Sequence, residues 1–206
     1  MAVPESNRFS IGEALSYGWK KLQENIGPLV TAALAILAVN LIFYFLGRGF
    51  LGGLMSLIGW FVSILISMGL IRIALKIVDG KPVETADLFQ RADLALPYFI
   101  ASVIVGVMVG IGFIFLIVPG IYLAITFGFF GYNIVDKEHG IVESIEQSAA
   151  ITKAQRGDLF VFGIALFFFN LAGAIALGIG LLITVPVSML AMAYVYRKLS
   201  GEPVTP

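Results

Sequence analysis

Residues 97–135 decide the fold: they read PYFIASVIVGVMVGIGFIFLIVPGIYLAITFGFFGYNIV and contain no charged residue. A helix needs about 20 apolar residues to cross the hydrocarbon core of a bilayer. This stretch is long enough for two such helices, and its Val-Pro-Gly step at 118–120 separates an apolar run over 97–118 from another over 120–135. The sequence here predicts two membrane-embedded helices joined by a short turn.

The composition extends this prediction to the whole chain. Of its 206 residues 59% are hydrophobic and 13% are charged, and the mean hydropathy is +0.99. A soluble domain has about 45–50% apolar and about 25% charged residues. Four further apolar runs cover 28–47, 50–78, 159–177 and 181–196. The sequence therefore predicts an all-α integral membrane bundle of six transmembrane or re-entrant helices.

Two of the six runs are short for a full crossing. The runs over 120–135 and 181–196 hold 16 residues each, which gives a helix of about 24 Å at ~1.5 Å per residue. The hydrocarbon core is about 30 Å thick. Either the bilayer is thinner at these helices, or the hairpins that contain them are re-entrant and do not cross it completely.

The distribution of charge predicts the orientation in the membrane. With six spans, 12 of the 13 basic residues and all 13 acidic residues fall on one side, and only Arg48 falls on the other. Basic residues concentrate in cytoplasmic loops. The sequence therefore predicts that both termini are cytoplasmic. Because the basic and acidic residues balance, no basic surplus indicates a nucleic-acid partner.

Internal repeats predict how the spans are organised. A gapless comparison of residues 11–41 with 141–171 finds 7 identities in 31 positions, including a paired Glu, a paired Gly and a paired Asn. A weaker third copy begins at 83. We predict a single membrane domain over 1–206 with repeat units of about 9–80, 83–137 and 141–200. Each unit would be a membrane hairpin preceded by an amphipathic cytoplasmic helix.

The first and third of these preceding segments have helical spacing. Their apolar faces consist of Ile11, Leu15, Trp19, Leu22 and Ile26, and of Ile141, Ile145, Ala149 and Thr152. Such helices can lie in the membrane interface with a Trp at headgroup depth. We predict membrane-interface anchors at Leu15, Trp19 and Ile145. The alternative is that these helices pack as a cytoplasmic collar over the bundle.

Asn40 and Asn170 are the polar residues expected inside the membrane. They occupy equal positions in two repeats, and an amide in hydrocarbon needs a partner. The favoured interpretation is an interhelical contact, which contributes about 0.6 kcal/mol on average. The alternative is a substrate or ion site.

The sequence offers no pattern for catalysis or for metal binding. Asp136, Glu138, His139 and Glu143 form the only cluster of metal-ligand types, without an H-E-x-x-H or EF-hand spacing. His139 is the sole histidine, cysteine is absent, and no G-x-S-x-G elbow or Walker loop occurs. We predict a protein that is not an enzyme, with no catalytic residue, no cofactor and no metal.

Two segments carry a resemblance to a known group of proteins. Residues 118–153 read VPGIYLAITFGFFGYNIVDKEHGIVESIEQSAAITK, and residues 12–20 read GEALSYGWK. They resemble the YciC-type uncharacterised inner-membrane proteins and the membrane domain joined to some glycerophosphodiester phosphodiesterases. Ala154 departs from the common form, which has Gly there. The resemblance implies a multi-pass protein of the prokaryotic cytoplasmic membrane. It does not imply phosphodiesterase activity, because the six spans occupy the 206 residues and leave no catalytic barrel.

These observations together predict a non-catalytic accessory or scaffold subunit. Its expected partners are membrane lipids and another membrane protein or a second copy of the chain, because the amphipathic helices lie at one interface and catalytic patterns are missing. The alternative is a small transporter or channel for an apolar or lipid-like solute. The candidates for a polar path in that case are Asn40, Thr126, Asn170, Thr184 and Ser188.

Overall fold

A computed structural model describes residues 8–47, 52–88, 90–176 and 180–206. These residues form nine α-helices and two short 3-10 helices, Thr85–Leu88 and Ala92–Leu94, and no β-strand lies among them. The α-helices are α1 (Ile11–Glu24), α2 (Ile26–Leu46), α3 (Gly52–Val78), α4 (Ala95–Phe115), α5 (Ile117–Phe127), α6 (Phe130–Lys137), α7 (Ile141–Thr152), α8 (Arg156–Ile175) and α9 (Leu181–Leu199). The predicted all-α class is confirmed for this part of the chain.

Six helical segments are long and apolar enough to cross a membrane. They are Ile26–Leu46, Gly52–Val78, Ala86–Phe115, Ile117–Lys137, Arg156–Ile175 and Leu181–Leu199. Each follows an apolar run of the sequence, which explains why the number of spans was predictable from hydropathy alone. The chain is a helical protein of the multi-pass membrane type.

Helices α4 and α5 form a tight hairpin whose turn is the single extended residue Leu116. The turn therefore lies before the predicted step at 118–120, and Pro119 falls in the first turn of α5. A proline is tolerated there because the first N–H groups of a helix have no intrahelical partner. The two helices approach closely at glycines: a Cβ on Gly112 would lie 3.0 Å from the Gly120 Cα.

The fourth apolar run is interrupted, which the sequence did not predict. Helix α5 ends at Phe127 and α6 begins at Phe130. Hydroxyl groups of α7 bind the backbone at this break: the Phe129 N–H donates to Ser148 Oγ (3.1 Å), and Ser148 Oγ donates to the Thr126 carbonyl (3.0 Å). Because buried backbone groups need partners, α7 stabilises the interruption.

Helix α7 runs antiparallel to the α5–α6 segment. Asn133 Nδ2 donates to the Ser144 carbonyl at 3.1 Å, and Thr152 Oγ1 donates to the Thr126 carbonyl at 3.2 Å, so positions on α7 rise as those on α6 and α5 fall. The residues of α7 that are fully buried are Ser144, Ser148 and Thr152. Helix α1 packs along α9, as α7 packs along α5 and α6. The 3-10 helix Thr85–Leu88 packs on α3.

The segment before α4 differs from its prediction. An amphipathic α-helix was expected there, and the described residues form the two 3-10 helices instead. The physical reason is Asp87, which lies fully buried between Lys76 and the backbone N–H of Glu84. Anchoring this carboxylate on α3 brings the chain close to that helix, and the Leu88 carbonyl lies against Gly69.

The packed core lies where α3, α6 and α9 come together. Helix α3 contacts both of the others, the carboxyl-terminal half of α9 is almost completely buried, and that of α3 is mostly buried. By contrast, α2, α4 and α8 keep large apolar side chains exposed along most of their lengths. Exposed apolar surface on this scale marks a surface that contacts a membrane or another protein.

Candidate functional site

A cluster of charged side chains joins the ends of the three central helices. Arg197 of α9 is 3% exposed. Its guanidinium donates two hydrogen bonds to the Asp79 carboxylate, at 2.9 and 3.0 Å, and two to the Asp136 carboxylate, at 2.6 and 2.8 Å. Glu202 accepts further hydrogen bonds from Arg197 and from Lys137. We call these five residues the Arg197 cluster.

Aromatic and amide groups support the Arg197 cluster from within the core. The Tyr196 hydroxyl contacts Asn133 Oδ1 at 3.2 Å and donates to Asp136 Oδ2 at 3.1 Å. The Tyr196 ring packs on Tyr132 with the ring centroids 5.1 Å apart. Each carboxylate oxygen of Asp79 and Asp136 accepts a hydrogen bond from Arg197, so the arrangement joins the ends of α3, α6 and α9.

Residues 203–206 are held by α1 and α3 of the same chain. The Tyr17 hydroxyl donates to the Thr205 carbonyl at 2.9 Å, and Lys21 Nζ donates to the Pro206 carbonyl at 2.9 Å. The Thr205 N–H donates to the Val78 carbonyl at 3.1 Å. Burial, with smaller effects from nearby carboxylates, raises the pKa of Tyr17 well above its usual range, so its hydroxyl remains a donor even where an exposed tyrosine would ionise.

Asn170, one of the two predicted intramembrane polar residues, contacts α9. Its Nδ2 donates to Ser188 Oγ at 2.8 Å and to the Leu166 carbonyl at 2.9 Å. Asn170 Oδ1 and Thr184 Oγ1 are buried and have no hydrogen-bond partner among the described residues. The side chain of Asn40 lies outside the described residues, so the predicted approach of the two amides stays a prediction. The role of Asn170 as an interhelical contact or a site also stays a prediction.

The predicted interface anchors differ in exposure. Trp19 is 46% exposed, and Leu15 and Ile145 are half-buried. The most buried face of α1 is formed by Ala14, Gly18, Lys21 and Leu22. A Cβ on Gly18 would lie 2.5 Å from the Val187 carbonyl oxygen, so α1 packs directly on α9. The membrane-anchoring role of the three residues remains a prediction.

The four residues of metal-ligand type do not converge. Asp136 belongs to the Arg197 cluster, and Glu138 accepts a hydrogen bond from Arg91 at 2.5 Å. This hydrogen bond holds the pKa of Glu138 below its usual value. His139 Nε2 lies 3.5 Å from a Glu143 carboxylate oxygen. Among the described residues no group of three or more His, Cys, Asp or Glu side chains could hold a metal ion.

An apolar groove of about 680 Å³ lies between α5 and α8. Its floor is formed by buried side chains, Phe129, Leu159 and Phe162. Its walls are formed by exposed side chains, Phe113, Phe160, Ile164, Phe167 and Phe168. We call this feature the α5–α8 groove. Ligand sites have volumes of about 300–1,000 Å³ and mostly apolar linings, so the groove has the size and the chemistry of a site for an apolar ligand.

Sequence analysis missed both the Arg197 cluster and the groove. A signal for the cluster was present: the triplet Ile-Val-Asp occurs at 77–79 and at 134–136, where α3 and α6 end. A second signal was the spacing of Ser144, Ser148 and Thr152, whose hydroxyls recur every four residues on one face. The groove combines residues from α4, α5, α8 and α9, so no local pattern indicated it.

Comparison with known proteins finds relatives in mycobacteria. An uncharacterised protein of Mycobacterium bovis is 24% identical over 233 aligned residues, which cover 97% of this chain and 71% of the relative. An uncharacterised protein of Mycobacterium tuberculosis is 25% identical with the same coverage. No family model matches the chain, and no solved structure matches it. The chain is therefore similar along nearly its whole length to bacterial proteins, and it has the helices of a multi-pass membrane protein.

Proposed function

We propose that this chain is a non-catalytic scaffold or accessory subunit of the bacterial cytoplasmic membrane that binds lipid acyl chains. The α5–α8 groove carries this proposal. Its lining is almost entirely carbon, its walls reach the outer face of the helices, and its floor is buried. An apolar chain in this groove would cover Phe160, Phe167 and Phe168 while the packed core remained unchanged.

The proposed topology has six membrane segments in three hairpins, α2–α3, α4–α5 with α6, and α8–α9, and both termini in the cytoplasm. The contacts of α2 with α3, α4 with α5 and α8 with α9 support the pairing. The Arg197 cluster supports the orientation, because it joins charged residues from the ends of α3, α6 and α9 at one place. Basic residues favour the cytoplasmic side.

In this topology α1 and α7 form a collar around the central helices. Two observations favour this collar arrangement rather than one in which α1 and α7 lie flat in the membrane interface. The small residues of α1, Ala14 and Gly18, are buried against α9, and the hydroxyl face of α7 is buried against α5 and α6. The exposed side of α1, including Trp19, remains available for lipid headgroups.

We also propose that this chain is related to the YciC-type proteins.

Gly163 provides a direct test of lipid binding. It lines the groove, and a Cβ there would meet no atom within 4 Å. The change Gly163→Leu should therefore fill the groove without disturbing the fold. Gly106 of α4 is a matched control, since its Cβ would also meet nothing and it does not line the groove. The measurement is the number of lipids retained per chain after purification in mild detergent, by native mass spectrometry.

The proposal expects Gly163→Leu to lose at least one retained lipid that wild type and Gly106→Leu keep. Circular dichroism confirms that both variants are folded. Equal lipid retention by all three proteins would contradict groove binding.

Transport of a lipid-like solute is the second candidate function, and one observation favours it. Asn170 Oδ1 and Thr184 Oγ1 are buried oxygens inside the membrane segments, and neither has a hydrogen-bond partner in the described part of the chain. Such groups are costly in hydrocarbon, and a passing polar headgroup would satisfy them. The change Asn170→Leu separates the two functions: it should abolish flux of a fluorescent phospholipid in proteoliposomes if the chain is a transporter. If the chain is a scaffold, the wild-type protein should show no flux of the fluorescent phospholipid.

A further inference from the structure

Arg156 differs from the other arginines of the helical region. Arg72, Arg91 and Arg197 each pair with a carboxylate. Arg156 donates instead to the Tyr122 hydroxyl and to the Ala149 carbonyl, the latter at 3.4 Å. Its Nε is buried and has no partner in the described part of the chain. Among the described residues, therefore, no carboxylate forms an ion pair with the Arg156 guanidinium.

Arg156 lies on α8 about one helical turn before the first residues that line the α5–α8 groove. Its guanidinium carbon is 4.7 Å from the centroid of the Tyr122 ring on α5. On α8, Arg156 precedes the groove residues Leu159 and Phe160 by three and four positions, and residues at this spacing share one face of a helix. Asp158 is two positions away and exposed, so it faces a different direction.

The depth of Arg156 matches that of lipid headgroups. It is the first residue of α8, a membrane-length helix of 20 residues and so about 30 Å long at ~1.5 Å per residue. The hydrocarbon core has about the same thickness, so the first residue lies at its boundary. From there the groove residues extend to Phe168, about 18 Å along the helix at ~1.5 Å per residue. The amino-terminal end of a helix also attracts anions.

We propose that the α5–α8 groove is a site for an anionic phospholipid. Its phosphate pairs with the Arg156 guanidinium, and one acyl chain lies along Phe160 and Phe168. Charge complementarity favours an anionic phospholipid as the occupant, because the planar guanidinium group of Arg156 can donate two parallel hydrogen bonds to phosphate oxygens. The exposed walls leave the groove open to the bilayer, so a surrounding phospholipid reaches it without leaving the membrane. The inference rests on the proposed lipid-binding function and adds the class of lipid.

The test uses a tryptophan in the groove wall as a reporter. Phe168→Trp is made in a chain whose two native tryptophans, Trp19 and Trp60, are changed to Phe. The protein is placed in vesicles of phosphatidylcholine that contain either brominated phosphatidylglycerol or brominated phosphatidylcholine. Bromine atoms quench a tryptophan that they contact, so the ratio of the two quenching constants gives the preference for the anionic lipid.

We expect phosphatidylglycerol to be preferred about tenfold, the size of one charged interaction, because the choline cation of phosphatidylcholine already neutralises that lipid's own phosphate. Arg156→Gln should reduce the ratio to about one and leave quenching by phosphatidylcholine unchanged. Lys153→Gln is the matched control: it removes an equal charge three residues away, and it should keep most of the preference.

The outcomes separate the inference from the proposed function. A preference that survives Arg156→Gln, or an equal loss with Lys153→Gln, would overturn the inference, while groove quenching by both lipids would still support acyl-chain binding. If Gly163→Leu fails to reduce quenching by either lipid, the proposed function fails together with the inference.

Discussion

The Arg197 cluster gives a prediction whose size can be derived from the structure. The change Arg197→Met keeps most of the side-chain volume and removes the charge. It leaves the carboxylates of Asp79 and Asp136 close together, with their side chains 17% and 13% exposed. Removing one partner of a buried ion pair costs about 3–5 kcal/mol, because the remaining charge is uncompensated. Since water partly reaches these carboxylates, we expect the lower end, about 3 kcal/mol.

Arg91 is the control for this experiment. It pairs with Asp93 and Glu138, whose side chains are 61% and 59% exposed. Exposed pairs contribute about 0–1 kcal/mol, so Arg91→Met should be nearly neutral. The free energy of unfolding is measured by denaturant titration in detergent micelles, followed by circular dichroism. The measurement is repeated in about 0.5 M salt, which screens exposed pairs far more than buried ones.

A second substitution shows whether the loss comes from the unpaired charges. Adding Asp136→Asn to Arg197→Met removes one of the stranded carboxylates. The double variant should therefore be more stable than Arg197→Met alone, which is a non-additive result typical of residues in one network. The reasoning is refuted if Arg197→Met unfolds within about 1 kcal/mol of Arg91→Met, the upper limit for an exposed pair.

Three further predictions concern packing, the helix break and pH. Gly120→Leu should destabilise the chain by about 1–3 kcal/mol by overpacking the α4–α5 turn, whereas Gly110→Leu, in open space, should be neutral in the same unfolding assay. Ser148→Ala should cost about 1–3 kcal/mol by leaving the buried Phe129 N–H unpaired, while Thr152 still donates to the Thr126 carbonyl; amide exchange at the α5–α6 break should become faster. Glu138 should titrate below the ordinary value of about 4.3 in carboxyl NMR, and Arg91→Gln should restore that value. The stability from this pair is present above the ordinary pKa and is lost as pH falls through the lowered one.

The sequence predicted the features that depend on local hydropathy. Six apolar runs became six helical segments of membrane length, because a span needs only a sufficient length of apolar residues. The break after Phe127 was missed, since its backbone groups bind Ser148 and Thr152, which come from a distant part of the chain. The α-helix predicted before α4 is replaced by two short 3-10 helices, because the burial of Asp87 against Lys76 outweighs a weak local helical pattern.

The candidate site was less predictable for the same reason. Arg197, Asp79 and Asp136 are far apart in the sequence and carry ordinary surface-type charges. Only the packing of α3, α6 and α9 brings them together. The predicted amide at Asn170 has a partner on the neighbouring α9, Ser188. The groove depends on the space left between helices, which hydropathy cannot indicate.

Photo-crosslinking with a lipid tests the central claim most directly. A phosphatidylglycerol with a diazirine in one acyl chain is activated in membranes that contain the intact protein, and the labelled peptides are identified by mass spectrometry. Lipid binding in the α5–α8 groove predicts that labels concentrate on residues 121–129 and 160–168. They should exceed those on the exposed apolar surface of α2, which faces bulk lipid in the proposed topology. Labels distributed evenly over α2, α4 and α8 would contradict a specific lipid site.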